Sequence, residues 1–184
     1  MTPLAPAERA ALLGIARVAV LAHLRLAPSP GLPTAGPLAT PRGAFVTLHV
    51  AGDLRGCIGS FRPVGSLGET VERMAVAAAS EDPRFLPIGA DDLAELRVAV
   101  SALAPLRALA DPRTVEVGRH GLVVKKGWNR GALLPKVAIE NGWDAEAFLR
   151  HTCLKAGLPP TAWREPGCEV EVFEADEFGE GSEA

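Results

Sequence analysis

The most regular feature of the chain is a set of stretches in which apolar residues recur every three or four positions, the spacing of one face of a helix. This pattern predicts helices over residues 6–27, 67–80, 133–141 and 144–156. Ser66 and Glu69 have the spacing of a capping box, which marks the start of the second helix. Pro135 suits the first turn of the third helix, and Asp144 and Gly157 suit the two ends of the fourth.

Shorter apolar stretches that alternate or are rich in β-branched residues predict strands. These strands cover residues 45–50, 55–61, 97–103, 115–117, 122–126 and 169–173. Gly52 and Asp53 suit a tight turn that joins the first two strands into a hairpin. The Pro- and Gly-rich residues 28–42 predict a surface loop long enough to border a neighbouring site. Residues 91–95 predict a short helical turn, and residues 176–184 predict a frayed acidic tail.

The predicted helices and strands are intermixed without a regular strand–helix–strand repeat. This order favours an α+β fold, with an antiparallel or mixed sheet flanked by helices. The 184 residues are the length of one domain. We therefore expect a single compact domain over residues 1–178, followed by an acidic, disordered tail over residues 179–184.

Composition narrows the class of protein. Hydrophobic residues make up 48% and charged residues 22% of the chain, as is typical of a globular protein. A net charge of −3 argues against a broad nucleic-acid surface and against binding to an anionic membrane. The longest apolar stretch, residues 10–26, contains Arg17 and Arg25 and is therefore not expected to span a membrane. Three widely spaced cysteines indicate a reducing compartment, so we expect a cytoplasmic protein; its oligomeric state stays open.

Residues 54–60, Leu-Arg-Gly-Cys-Ile-Gly-Ser, form the stretch that most suggests chemistry. Cys57 lies between two glycines, and residues without side chains leave a neighbouring thiol open to approach. Arg55 would favour the thiolate, which is the reactive form of cysteine. We therefore take Cys57 and Arg55 as candidate catalytic residues, and His49 as a third candidate. The candidate ligand-binding residues are Arg55, Gly56, Ile58, Gly59, Ser60 and Arg84.

The side of the hairpin on which Cys57 lies depends on the turn. With a two-residue turn, Cys57 lies opposite Leu48 and faces the core. A three-residue turn, or a bulge at Gly56, reverses the alternation of the strand. Cys57 then joins the face that carries Phe45, Thr47 and His49. The histidine is in that case available as a base, and the pattern leaves both arrangements open.

Two familiar kinds of site do not match the sequence. A tyrosine-phosphatase loop needs five residues between its cysteine and its arginine, whereas four separate Cys57 from Arg62. Pro63 also lacks the backbone donor that a phosphate would need. His151 and Cys153 are two positions apart on a predicted helix, so they point to different sides and do not suit a metal. We therefore expect neither a phosphatase nor a bound metal or cofactor.

Two further groups of residues have simpler interpretations. The basic residues 125–130 contain Trp128, which lies either at a solvated hairpin tip or on a surface that stacks on a base or a partner side chain. The acidic pairs at residues 81–82 and 91–92 fall at helix ends, where carboxylates are stabilised by the helix dipole. We assign these pairs no catalytic role.

Several short motifs occur in order along the chain. They are Leu54-Arg55-Gly56-Cys57-Ile58-Gly59, Asp82-Pro83-Arg84-Phe85, Leu133-Leu134-Pro135, Val137-Ala138, Gly142-Trp143-Asp144 and residues 152–159, Thr-Cys-Leu-Lys-Ala-Gly-Leu-Pro. Together they resemble the AMMECR family over nearly the whole chain, and most closely its bacterial branch, protein A of the AmmeMemoRadiSam system. The chain departs from the family's pattern at Lys136, where glutamine is expected, and in having no tyrosine.

The resemblance implies an α+β fold with a larger and a smaller subdomain, and it implies that the Arg55–Gly59 hairpin is the functional site. It also implies two companions, a Memo-like protein similar to extradiol dioxygenases and a radical S-adenosylmethionine enzyme. Two hypotheses follow. In one, Cys57 is a nucleophile or redox thiol and Arg55 stabilises the thiolate or holds an anion. In the other, which we favour because the resemblance places the cofactor chemistry in the companions, the hairpin binds a small ligand or a partner protein.

Overall fold

The computed structural model describes residues 3–181 of the chain. The chain divides into two compact units, of which the first contains residues 1–103 and 176–184 and the second contains residues 104–175. Each unit combines helices with an antiparallel sheet, so the α+β prediction is confirmed. Among the described residues, no helix is long and apolar enough to cross a membrane.

The described residues form four α-helices and eight β-strands. The helices are α1 (Pro6–His23), α2 (Leu67–Ser80), α3 (Pro135–Glu140) and α4 (Ala145–Lys155). The strands are β1 (Ala44–Val50), β2 (Asp53–Ser60), β3 (Leu96–Leu103), β4 (Arg107–Ala108), β5 (Gly121–Lys126), β6 (Asn129–Leu133), β7 (Glu169–Phe173) and β8 (Ala175–Gly179).

The first unit is a four-stranded sheet in the order β2-β1-β3-β8, with β1 antiparallel to both of its neighbours. Val46 and Leu48 of β1 are fully buried, and they belong to one apolar core with residues of α1 and α2. Burying a side chain of this size contributes about 1.5–3 kcal/mol. The core therefore fixes which face of β1 is turned toward the helices. It leaves the alternate residues Phe45, Thr47 and His49 on the other face, where they are half-buried.

The second unit is a sheet in the order β4-β7-β5-β6, and its described pairs are antiparallel. Helix α4 supplies the fully buried Phe148 and Cys153 to its core, and β5 supplies Leu122 and Val124. The N-cap of α4 is the one predicted from sequence, since Asp144 accepts a hydrogen bond from the amide of Ala147 at 2.8 Å.

Two strand assignments from the sequence need correction. Residues 115–117 do not form a strand, because they lead into a turn in which Gly118 has a φ of +88°. Strand β6 was expected to be part of a hairpin tip and a helix, since its sequence, Asn-Arg-Gly-Ala-Leu, has no β-branched residue. Gly131 explains its path: a Cβ there would lie 2.3 Å from the backbone nitrogen of Ala156, so only glycine allows β6 to run this close to the end of α4.

The chain end also differs from the expectation. The predicted frayed tail is wrong for residues 176–181, because β8 pairs with the first sheet. Glu180 accepts two hydrogen bonds from the guanidinium of Arg17, at 2.8 and 2.6 Å, and one from the amide of Val98 at 2.9 Å. Residues 182–184 lie outside the described residues, and the domain boundary at residue 178 stays a prediction.

Helix α1 ends at His23, four residues earlier than predicted, and Arg25 follows with a φ of +61°. The predicted loop at residues 28–42 contains a short helical turn, Pro37–Ala39. Leu38 in this turn is buried in the first core, and the carbonyl of Thr40 accepts from the amide of Leu67 at 2.8 Å. The loop is therefore packed against the start of α2.

Candidate functional site

The β1–β2 hairpin places the thiol of Cys57 away from the core. The two-residue turn is Ala51–Gly52, one position earlier than predicted, with φ values of +52° and +89°. His49 pairs with Leu54, whereas Leu48 pairs with Gly56, so Arg55 is the extra residue of a β-bulge. The bulge reverses the alternation, and Cys57 pairs with Thr47. The second of the two sequence interpretations, with Cys57 on the face of Phe45, Thr47 and His49, is therefore the correct one.

Cys57 is a free, half-buried thiol with a hydroxyl group directed at it. The Oγ1 of Thr47 donates to the Sγ of Cys57 at 3.2 Å. The contact follows from the register alone, because the two residues face each other across the hairpin.

Asp82 fixes the backbone of the hairpin at this point. It follows α2 and its carboxylate is only 2% exposed. Its Oδ2 accepts the amide N–H of Cys57 at 2.9 Å. Strand β2 is the edge of its sheet, so this amide points outward and would otherwise have no strand partner. The side chain of Asp82 thus takes the place of a neighbouring strand.

Arg84 is held by the same carboxylate. Its Nε donates to Oδ1 of Asp82 at 2.9 Å and its Nη2 to Oδ2 at 2.7 Å, which is a planar two-bond pair. Nη2 also makes a long contact of 3.5 Å with the carbonyl of Cys57. These bonds leave Nη1 without a hydrogen bond among residues 3–181, and 55% of the side chain is exposed.

The electrostatics of the pair follow from these contacts. The hydrogen bonds from Arg84, together with the amides of Cys57 and Arg84, hold the pKa of Asp82 far below its usual range, against the effect of burial. The hydrogen bond to Asp82 raises the pKa of Arg84, and the charges of Asp82 and Cys57 act in the same direction. The guanidinium lies beside the backbone of Cys57, with Nη2 3.5 Å from its carbonyl oxygen. We call Thr47, Cys57, Asp82 and Arg84 the Cys57–Arg84 site.

The structure gives Arg55 a different environment from the predicted one. Its Nη1 and Nη2 donate to the two oxygens of Asp92 at 2.9 and 3.3 Å. The same carboxylate accepts the amide of Gly89 at 2.8 Å. This backbone bond, followed by the bond from Arg55, lowers the pKa of Asp92. Arg55 thus joins the bulge to the turn before β3, and its predicted role beside the thiol stays a prediction.

The two glycines beside Cys57 are explained by packing. A Cβ on Gly56 would lie 2.0 Å from the carbonyl oxygen of Ala78, so Gly56 lets β2 approach the backbone of α2. A Cβ on Gly59 would lie 2.2 Å from the ring of Phe45, which covers this glycine. Gly56 is buried and lies on the face opposite the thiol. Gly56 therefore brings the hairpin close to α2, and Gly59 makes room for the ring of Phe45 within the hairpin. The assignment of both glycines to ligand binding stays a prediction.

The remaining predicted residues make other contacts. Ile58 packs against the first core. The Oγ of Ser60 donates to the carbonyl of Arg62 at 2.7 Å, which shapes the turn after β2. His49 lies on the face of the thiol, but within residues 3–181 no hydrogen bond or ion pair joins it to Cys57. The assignment of Ile58, Ser60 and His49 to the site stays a prediction.

Sequence reasoning missed two members of the site. Asp82 was interpreted only as a helix-end carboxylate, although the Asp-Pro-Arg order that places it two residues before Arg84 is visible in the chain. Thr47 became a neighbour of the sulfur only through the bulge. In the part of the chain that the structure describes, no three His, Cys, Asp or Glu side chains converge as a metal site would require.

The fold and the site define an α+β protein of two sheet-and-helix units that carries, on an edge hairpin, a cysteine whose backbone is held by a carboxylate and an arginine. The chain belongs to the AMMECR1 family, whose model matches residues 13–178. A protein from Methanothermobacter thermautotrophicus is 45% identical over 97% of both chains. One from Methanopyrus kandleri is 46% identical over 78% of this chain and 73% of its own.

The same fold occurs in a crystal structure. An uncharacterised protein from Pyrococcus horikoshii matches with a TM-score of 0.84 and 39% sequence identity, over 92% of this chain and 90% of its own. The fold and family expected from the sequence motifs are therefore confirmed.

Proposed function

We propose that this protein is a binding component whose Cys57–Arg84 site receives an anionic group of a small ligand or of a partner protein. The observation that supports this proposal is the clamped guanidinium of Arg84. Asp82 holds it in place through two bonds, and Nη1 remains directed away from that carboxylate with its two N–H groups unbonded among residues 3–181. Arginine recognises carboxylate and phosphate groups in such geometries, and a guanidinium held in advance loses little entropy on binding.

A second candidate function is thiol chemistry, in which Cys57 acts as a nucleophile or redox thiol. The observation in its favour is the hydroxyl of Thr47, which donates to the sulfur at 3.2 Å. Arg84 would then stabilise the thiolate in place of the Arg55 that we predicted for this role. The two candidates differ in one property: only the second needs the thiolate to form near neutral pH.

The thiol itself reports whether the site attracts anions. We expect the ratio of the iodoacetate rate to the neutral iodoacetamide rate at Cys57 to be about fivefold higher in the unmodified protein than in Arg84→Gln. The reason is that a unit charge at 4 Å in water contributes about 1 kcal/mol. The ratio of the two rates cancels changes in thiol acidity and exposure. Mass spectrometry locates the label, and Arg73→Gln, which replaces an exposed arginine of α2, is the matched control.

Equal ratios in the unmodified protein and in Arg84→Gln would contradict the anion site. Protection of Cys57 until the protein unfolds would contradict both candidates. A pH profile of iodoacetamide labelling separates them, since an apparent pKa well below the usual value of about 8.5 would favour the second.

We further propose that the protein acts in the cytoplasm with a Memo-like protein and a radical S-adenosylmethionine enzyme. The partners follow from the resemblance to the AmmeMemoRadiSam branch, and the compartment is supported by three cysteines that are all free thiols. We expect at least one companion from the same genome to be retained on the immobilised protein, and Arg84→Gln to reduce that retention about fivefold relative to Arg73→Gln. Retention of neither companion at micromolar concentrations would contradict the partnership and leave the labelling result unaffected.

A further inference from the structure

A cavity in the second unit has the composition of a small-molecule site. It has a volume of about 520 Å³ and is lined by Arg113, Ala145, Glu146, Leu149, Trp163 and Arg164. Pockets for small molecules commonly measure about 300–1,000 Å³, with mostly apolar walls and a few placed polar groups. Leu149 and Trp163, which line the cavity, are buried in the core of the unit. Its charged groups come from three different elements, so the arrangement is a product of the fold.

Arg164 is fixed at the wall of the cavity by its neighbours. Its guanidinium lies over the ring of Trp163, 4.5 Å from the centroid. Its Nη2 donates to Oε1 of Glu146 at 2.5 Å. A second cavity of about 530 Å³ also includes Trp163 and Arg164 in its lining. The stacked pair is thus a wall shared by both cavities.

Arg113 is held by the same local geometry as Arg84. Its Nε and Nη2 each donate to Asp111 at 3.0 Å, and its amide donates to the same carboxylate at 3.0 Å. As in the first unit, an Asp-Pro-Arg segment fixes one edge of the guanidinium and leaves Nη1 unbonded among residues 3–181. Here the guanidinium borders a cavity with an apolar floor.

Both arginines can exchange their carboxylate partners for one carried by a ligand. The side chains of Arg113 and Arg164 are 78% and 51% exposed, and those of Asp111 and Glu146 are 43% and 68% exposed. Ion pairs as exposed as these contribute little to stability, so replacing one partner by another costs little. The pairs also show that each guanidinium already accommodates a carboxylate in this position.

We propose that this cavity binds a small organic carboxylate, with its apolar body against Ala145 and Trp163 and its carboxylate between Arg113 and Arg164. The proposal does not rest on the Cys57–Arg84 site, because every lining residue belongs to the second unit. Each of the two cationic side chains that line the cavity already pairs with a carboxylate, and a ligand carboxylate would take the place of Asp111 or Glu146. Ala145, at the start of α4, leaves the space that the ligand body occupies.

The test uses the full chain and two probes that differ only in charge, 2-naphthoate and the neutral 2-naphthamide. Binding is followed through the indole N–H signals of the three tryptophans by NMR, assigned by substituting each tryptophan in turn. We expect 2-naphthoate to shift the signal of Trp163 but not that of the exposed Trp128, and to bind at least about fivefold more tightly than the amide.

The variants identify the contacts. The double variant Arg113→Gln and Arg164→Gln is expected to weaken 2-naphthoate binding about tenfold, since charge-assisted hydrogen bonds are lost. Arg119→Gln, which removes another exposed, ion-paired arginine of the same unit, should leave the affinity unchanged. Ala145→Phe should abolish binding by filling the cavity. If this larger side chain impairs folding, the two Arg→Gln changes still test the proposal, because both arginines lie at the surface.

Three results would overturn the proposal. They are equal affinity for the two probes, equal loss of affinity in Arg119→Gln and the double variant, and a shift confined to Trp128. None of these measurements involves Cys57 or Arg84, so failure here leaves the proposed function of the first unit untouched.

Discussion

Replacing Gly56 by alanine is expected to destabilise the protein by about 3 kcal/mol, at the upper end of what overpacking a core costs. The added Cβ would lie 2.0 Å from the carbonyl oxygen of Ala78, 2.9 Å from its carbonyl carbon and 3.5 Å from its Cα. These are backbone atoms of α2, so no side-chain rotation relieves the clash. The hairpin or the helix must move, and both belong to the core of the first unit.

The measurement is the free energy of unfolding from denaturant titration. Gly14→Ala is the matched control, because Gly14 lies inside α1 and a Cβ there meets no atom within 4 Å. That control is expected to stabilise the protein by about 0.5–1 kcal/mol through helix propensity. If Gly56→Ala were as stable as the unmodified protein, the close approach of β2 and α2 would be wrong.

Movement of the hairpin would also change the geometry of the Cys57–Arg84 site. Gly56 precedes Cys57 directly, and the amide of Cys57 is positioned to donate to Asp82 at 2.9 Å. We therefore expect Gly56→Ala to change the labelling rate of Cys57 as well. Gly14→Ala should not, because Gly14 faces away from the sheet.

The second large effect is expected for Asp82→Asn, which should destabilise the protein by about 2 kcal/mol. Leaving buried polar groups without their partners costs about 1–3 kcal/mol, and half of Arg84 is solvent-exposed, which limits the loss from that side of the pair. The amide group of asparagine has one acceptor atom, whereas the carboxylate of Asp82 accepts four hydrogen bonds through two oxygens.

Asp111→Asn is an unusually close control for this substitution. Asp111 is followed by proline and arginine, as Asp82 is, and accepts the same three bonds from its arginine at 3.0 Å each. It differs in being exposed and, within residues 3–181, in having no partner like the amide of Cys57. We expect Asp111→Asn to change stability little. Equal effects of the two substitutions would show that the bond to Cys57 contributes nothing.

The pH dependence of Asp82→Asn has a definite sign. The pKa of Asp82 is lowered in the folded protein, chiefly by the hydrogen bonds from Arg84, so its carboxylate binds fewer protons when folded. The stability it contributes is therefore complete above the unfolded pKa of about 3.9 and is lost as the pH falls through the lower folded pKa. The difference in unfolding free energy between the unmodified protein and Asp82→Asn should be constant above about pH 5 and shrink below about pH 4.

The sequence determined most elements whose signals are local. Ser66 and Glu69 predicted the start of α2, and each accepts the bond expected of a capping box, with Ser66 Oγ receiving the amide of Glu69 at 3.2 Å. Asp144 predicted the start of α4 in the same way. Strand β8 was not predicted because its residues, Ala-Asp-Glu-Phe-Gly, have the composition of an acidic tail. What orders this segment is the edge of the sheet and the bond from Arg17 to Glu180, neither of which is visible in the local sequence.

The candidate site was predicted in part. Residue types and the family motifs pointed to Cys57 and its hairpin, but the partner of each group depended on the register. Arg55 is the bulge residue, and the bulge turns it to Asp92 while placing Cys57 against Thr47. A change of one residue in register moves every side chain of a strand to the other face, and the chain has no local signal for it.

The two Asp-Pro-Arg segments show where local information ends. Within each segment the aspartate accepts from the amide and the guanidinium of the arginine two residues later, so these contacts are local to three residues. Only the tertiary structure decided that Asp82 is buried and reaches the amide of Cys57, 25 residues away in sequence, whereas Asp111 stays exposed. The physical reason is that a local turn depends on neighbouring residues, while burial and the pairing of an edge amide depend on where α2 ends against β2.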